Sequence, residues 1–262
     1  IGQSQNQIKA MITRLNQLIY PVNPSLQLTY EGIKKRFAKD LVRERHLAKA
    51  VRFLAIENYD TAESQIHFIE SLYGGKKSKA AMSDQAAAEN EIRSNLLKAG
   101  GPAFVAEDES SFPELKNLIT IIKRAGGIPC YPVLLDDPSG KMTEFEADRE
   151  KLYGSLSSMG IGCIELIPGR NDISILKPFC EFFSEKGFII TFGTEHNTPE
   201  LTPLTITARG KVPLDISLKR IAWEGICVIA AHQYLRAHDR QGYLLDDGSL
   251  SLGQKNDLTR LG

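Results

Sequence analysis

The chain has 262 residues, 42% of them apolar, which suffices for one large domain or for a barrel with an appended layer. Lysine plus arginine and aspartate plus glutamate number 32 each, so no charge imbalance points to nucleic acid or an anionic membrane as partner. No apolar run reaches the length of a membrane span and no signal peptide opens the chain, so the expected location is cytoplasmic. Cys130, Cys163, Cys180 and Cys227 are far apart, and Cys130, Cys163 and Cys227 sit in apolar runs, the pattern of buried reduced thiols rather than of a disulfide framework or a zinc knuckle. The start at Ile1 and the end at Leu261-Gly262 suggest a piece of a longer protein.

The first hundred residues read as a helical layer. Gln7 to Tyr20 places Ile8, Met11, Ile12, Leu15, Leu18 and Ile19 at three and four spacing and stops before Pro21. Thr29 caps a second helix with Ile33 and Phe37, and a third carries Leu41, Val42, Leu47, Val51 and Leu54. Asp60 opens a fourth, ended by Gly74-Gly75, and Asp84 to Ala99 is a fifth, closed by Gly100-Gly101. From 101 to 262 the pattern changes to alternating strands and helices. Strands are expected over Pro102–Ala106, Ile128–Leu135 and Ile161–Ile167 and from Gly187, with helices over Phe112–Ala125, Phe145–Met159 and Ile173–Lys186. That recurrence predicts an α/β fold, a parallel sheet with right-handed crossovers, open or part of a βα barrel. Leu204 to Ala208 reads as a short strand or an extended loop, and Asp215 to Arg236 as a helix too apolar for a surface position.

Each expected strand runs from an apolar core into polar residues: Glu107, Asp108 and Glu109; Asp136 and Asp137; Arg170, Asn171 and Asp172; and Glu195, His196 and Asn197. In a parallel sheet these exits share one rim, where Asp, Glu, His and Asn suit a divalent cation that activates water. The acidic exits also fit ordinary helix caps and turns, and Asp136-Asp137-Pro-Ser-Gly140 reads foremost as a loop. Glu165 is different. Between Ile164 and Leu166, a carboxylate faces a polar mouth or an unpaired interior, and the second is costly, so Glu165 is a candidate catalytic group with Arg170 and Asn171 beside it to hold substrate.

Weaker signals do not carry a function. The basic stretch Arg43-Glu-Arg-His46 fits a solvated helix face, and Gly74-Gly-Lys-Lys-Ser78 lacks phosphate-loop spacing. His67, His232 and His238 lie on helices, and the sequence contains neither His-x-x-x-His nor Gly-x-Ser-x-Gly.

Three segments together resemble the later part of a polymerase and histidinol phosphatase (PHP) domain: Phe112-Pro-Glu-Leu with Arg124-Ala-Gly-Gly-Ile-Pro129, Gly162-Cys-Ile-Glu-Leu-Ile167, and Phe192-Gly-Thr-Glu-His-Asn197. The resemblance implies a TIM-like βα barrel, here incomplete, whose strand ends hold zinc, manganese or iron, and hydrolysis of a phosphoester by metal-bound hydroxide. It places Glu195 at the family's late aspartate ligand and His196 or Asn197 at the histidine that follows it. The chain departs from the pattern in three ways. Glutamate replaces aspartate at 195 and the histidine position falls on Asn197; Cys130-Tyr-Pro132 stands where many relatives have Ala-His-Pro; and no His-x-His pair occurs.

The leading expectation is a metal-dependent phosphoesterase acting on a phosphorylated small molecule, with Glu195, His196 and Asn197 as metal groups and Glu165, Arg170 and Asn171 as catalytic groups. Two rivals stand beside it: a degenerate barrel that binds a phosphorylated ligand or a protein partner without turnover, and a sugar isomerase or epimerase with Glu165 and Glu195 around one metal. The sequence specifies no oligomeric state.

Overall fold

The computed structural model describes residues 2–137, 139–194 and 203–262. They fold as mixed α/β, 55% helical, in two compact units, residues 1–113 and 114–262.

The first unit is helical: α1 (Gly2–Ile19), α2 (Tyr30–Phe37), α3 (Glu44–Asn58), α4 (Ala62–Leu72) and α5 (Gln85–Ile92), the last running into a π turn over Arg93–Leu97. Short polar side chains fix the starts by taking backbone N–H groups that a helix leaves unpaired. Thr29 Oγ1 accepts from Gly32 N at 3.1 Å and Asp84 Oδ1 from Ala87 N at 3.0 Å. The fourth helix is capped by Thr61, one residue beyond the expected Asp60. Leu15, Ile19, Leu47, Phe68, Ile69, Leu72, Ile92 and Leu96 form its buried core.

Pro102–Ala106 is not a strand. Ala103 N donates to Leu96 O at 2.9 Å and Phe104 N to Gly101 O at 3.1 Å, which folds the segment back onto the helix end. A Cβ on Gly101 would lie 2.5 Å from the Leu96 backbone, so only glycine fits that reversal. The Phe104 and Val105 carbonyls accept from Arg14 and Gln7 of α1. With these four central backbone groups engaged, the run cannot form a regular ladder.

The second unit contains α6 (Leu115–Arg124), β1 (Cys130–Pro132), α7 (Arg149–Ser158), β2 (Cys163–Leu166), α8 (Ile173–Glu185) and β3 (Ile189–Phe192). A short antiparallel pair, β4 (Thr207–Ala208) and β5 (Val212–Pro213), precedes α9 (Ile216–Ala237) and α10 (Lys255–Leu261). Strands β1, β2 and β3 are parallel and in that order, with Cys130 opposite Cys163 and Cys163 opposite Ile189. Alternation then sorts the side chains. Ile164, Leu166 and Ile190 join Leu152, Leu156, Leu176, Phe179 and Phe183 of α7 and α8 in one cluster. Cys163 and Ile189 join Val228, Ala231 and Leu235 of α9 and Leu258 of α10 in another.

Among the described residues the parallel strands number three and do not close into a barrel. The reason at one edge is local. Ile189 and Gly193 donate to β2, at 2.8 and 2.9 Å, so the Ile190 carbonyl, one residue out of phase, points to the other edge of β3. There α9 lies against it: a Cβ on Gly225 would sit 2.1 Å from Ile190 O. A helix held that close by a glycine occupies the place a further strand would need.

Candidate functional site

The exit of β1 is built around two buried carboxylates. Glu146, 2% exposed, accepts from Leu134 N at 3.0 Å, Leu135 N at 2.5 Å and Thr143 Oγ1 at 2.8 Å. This curls the loop back on the strand end, with Leu135 in the left-handed region at φ 63°. Asp136 has a fully buried side chain. Its Oδ2 accepts from Arg209 Nη1 at 2.7 Å and its Oδ1 from Asn171 Nδ2 at 3.1 Å. Arg209 also donates to the carbonyls of Asp136, at 3.0 Å, and of Arg170. One ion pair thus staples the exits of β1 and β2 to the start of the turn after β4. A buried carboxylate is tolerable only with such partners.

Asp137 has a different task. Its Oδ1 accepts from Ser139 N at 2.8 Å, Ser139 Oγ at 2.6 Å and Lys141 N at 3.0 Å, an Asx turn. The Ser139 hydroxyl, then the Lys141 N–H, holds its carboxyl below the usual range.

Beyond these strand ends opens a cavity of about 930 Å³, walled by Leu134, Leu135, Met142 and Thr143 and by charged residues of both signs, Lys141, Arg170 and Arg209 with Asp136, Asp137 and Glu144. A mostly apolar hollow with a few fixed polar groups is the usual form of a small-molecule site, and the end of parallel strands its usual place. Arginine suits anion recognition because its planar fork matches carboxylate and phosphate oxygens. Arg209 is additionally held in orientation by the bonds just described.

The structure brings together Arg170 and Asn171 and does not bring Glu165 to them. Arg170 is exposed on the cavity wall. Asn171 is 1% exposed; its Nδ2 donates to Leu134 O at 2.8 Å as well as to Asp136, and its buried Oδ1 has no partner among the described residues. Glu165 is exposed on the face of Cys163, flanked in register by Pro132 and Thr191, and does not line the cavity. A Cβ on Gly193 would lie 3.2 Å from Glu165 Oε1, so glycine leaves the carboxylate its room. Glu195, His196 and Asn197 lie outside the described residues. Among the described residues no group of three His, Cys, Asp or Glu side chains could hold a metal ion.

Sequence reasoning set Asp136 down foremost as a loop residue and did not single out Arg209. The one available signal was that Asp137, directly before Pro138-Ser-Gly140, is the natural turn former, which leaves Asp136 as the last residue of the strand exit. For Arg209 no local signal exists. Comparison with protein families, with curated proteins and with solved structures finds no match.

Proposed function

We propose that the chain hydrolyses a phosphoester of a small molecule with a divalent metal, zinc, manganese or iron, by PHP-like chemistry at the end of its open parallel sheet. The observation that carries this reading is the cavity at the ends of β1 and β2, whose lining carries Arg170, Arg209 and Lys141 together with Glu144, Asp136, already paired to Arg209, and Asp137, engaged in its own turn. Two guanidinium groups there suit the anionic group of a phosphorylated ligand, and Leu134, Leu135 and Met142 its apolar body. Glu165, exposed on β2 but off the cavity wall, offers a carboxylate as metal partner rather than as a group on the bound ligand. The oxygen and nitrogen donors of Glu195, His196 and Asn197 match a hard or borderline cation and would hold it. When bound, that metal supplies the activated hydroxide.

The test is metal analysis of protein purified without chelator, followed by a phosphoester panel. Stoichiometric metal, and phosphate release lost with chelator and in Glu195→Gln, supports the hydrolase. A folded protein that takes up no added metal and releases no phosphate sinks it. One observation favours a second reading, binding without turnover: the Asp136 carboxylate is engaged by Arg209 and Asn171 instead of facing a ligand. That reading expects calorimetric binding of a phosphomonoester, weakened in Arg170→Ala, with no product.

A further inference from the structure

Cys130 and Cys163 are register partners on the parallel strands β1 and β2. Register partners send their side chains to the same face, on strands about 4.8 Å apart. A disulfide accepts Cα separations of about 4.4–6.8 Å. Their access differs: Cys130 is exposed, whereas Cys163 beside it is buried at 2%. Strand β1 is three residues long and, among the described residues, pairs on one side only, so it can shift by the few tenths of an ångström that bridging requires.

We propose that Cys130 and Cys163 form a dithiol site oxidised by hydrogen peroxide, with Cys130 as the attacking thiol and Cys163 as the resolving one. The Cys130 thiolate attacks one peroxide oxygen; an S–O bond forms as the O–O bond breaks, and the departing hydroxide takes a proton and leaves as water. The Cys163 thiol then loses its proton and attacks the sulfenic sulfur. An S–S bond forms, the S–O bond breaks, and the second hydroxide leaves with that proton as water. Two thiols and one peroxide give one disulfide and two waters.

The assignment of roles follows from the pair's asymmetry. Cys130 is exposed at the edge strand, where peroxide reaches its sulfur. Cys163, 2% exposed, is closed to peroxide but stands beside Cys130 as its register partner. Access therefore makes Cys130 the attacking thiol and leaves Cys163 to resolve. Cys180 and Cys227, 0% and 5% exposed, serve as internal controls.

The experiment treats the full chain with peroxide, blocks remaining thiols, and maps peptides without reduction by mass spectrometry. The expected product is a peptide pair linked through Cys130 and Cys163, lighter by two hydrogens and released by dithiothreitol. In Cys163→Ser the link is lost and dimedone traps sulfenic acid at Cys130, while in wild type that adduct is scarce. Cys130→Ser gives neither link nor adduct. Wild-type protein whose Cys130 proceeds to sulfinic acid without the link, or oxidises no faster than Cys180 and Cys227, overturns the proposal without recourse to any variant.

Discussion

The ion pair between Asp136 and Arg209 gives the most discriminating test of how the strand exits are held. The pair is asymmetric: the Asp136 side chain is 0% exposed and that of Arg209 27%. Arg209→Ala leaves a carboxylate inside the protein with only Asn171 Nδ2, at 3.1 Å, and the Asp172 N–H, at 3.4 Å, still donating. Removing one partner of a buried pair costs about 3–5 kcal/mol, and this variant belongs in that range. Asp136→Ala leaves a guanidinium that water reaches and that keeps its bonds to two carbonyls. Its cost is that of hydrogen bonds to a charged group, about 1.5–3 kcal/mol. Asp136→Leu with Arg209→Met removes both desolvated charges and costs less than Arg209→Ala alone. Trp223, the sole tryptophan, lies in the unit of residues 114–262, so urea unfolding followed by its fluorescence reads this unit. If Arg209→Ala costs under about 1 kcal/mol, the value of an exposed pair, or less than Asp136→Ala, the reasoning fails.

Two further substitutions probe the frame around the site. Gly225→Ala gains about 1 kcal/mol of helix propensity but puts a methyl group into a backbone carbonyl, at the upper end of the roughly 1–3 kcal/mol of overpacking, for a net loss of about 2 kcal/mol in urea unfolding. A neutral result shows that α9 does not lie on the edge of β3. Asp215 caps α9, and the Leu218 N–H, followed by Lys177, holds its carboxyl below the usual range. A depressed folded value means stability that is present above about pH 4, where the unfolded carboxyl titrates, and lost as the pH falls through the folded value. Asn caps as well as Asp but does not titrate, so Asp215→Asn is slightly weaker at neutral pH and the gap closes below about pH 4. Urea midpoints that stay equally far apart down to pH 2 contradict this.

The helices were legible because their signals are local: apolar spacing for α1 and α3, and side-chain caps at Thr29, Asp84 and Asp215. Strands β1, β2 and β3 were legible as apolar runs, but only their central residues pair, and the run at Pro102–Ala106 showed the same composition without pairing. Composition records that a segment avoids water, not which groups satisfy its backbone. For Pro102–Ala106 those groups are Leu96 O and the side chains of Arg14 and Gln7, the last two about ninety residues away, at separations of 90 and 98. The Asp136–Arg209 pair was hidden for the same reason, since its partners are 73 residues apart.

The neighbours Arg170 and Asn171 show how the strand exit divides its labour. Both follow β2 and both read as substrate-holding in the sequence. The 3-10 turn over Pro168–Arg170 sends Arg170 to the cavity wall and Asn171 inward, where it bonds to the exit loop of β1. Loss of Arg170 therefore acts on ligand affinity directly, whereas loss of Asn171 frees Leu134 and Asp136 and acts through the shape of the cavity. The two variants differ in stability before any ligand is added. Arg170→Ala, at an exposed position, changes unfolding stability by no more than the roughly 1 kcal/mol that an exposed charged contact is worth. Asn171→Ala strips buried acceptors of their donor and lowers stability by roughly 1–3 kcal/mol. Equal stability of the two would place both side chains in the same environment and remove the physical basis for separating them.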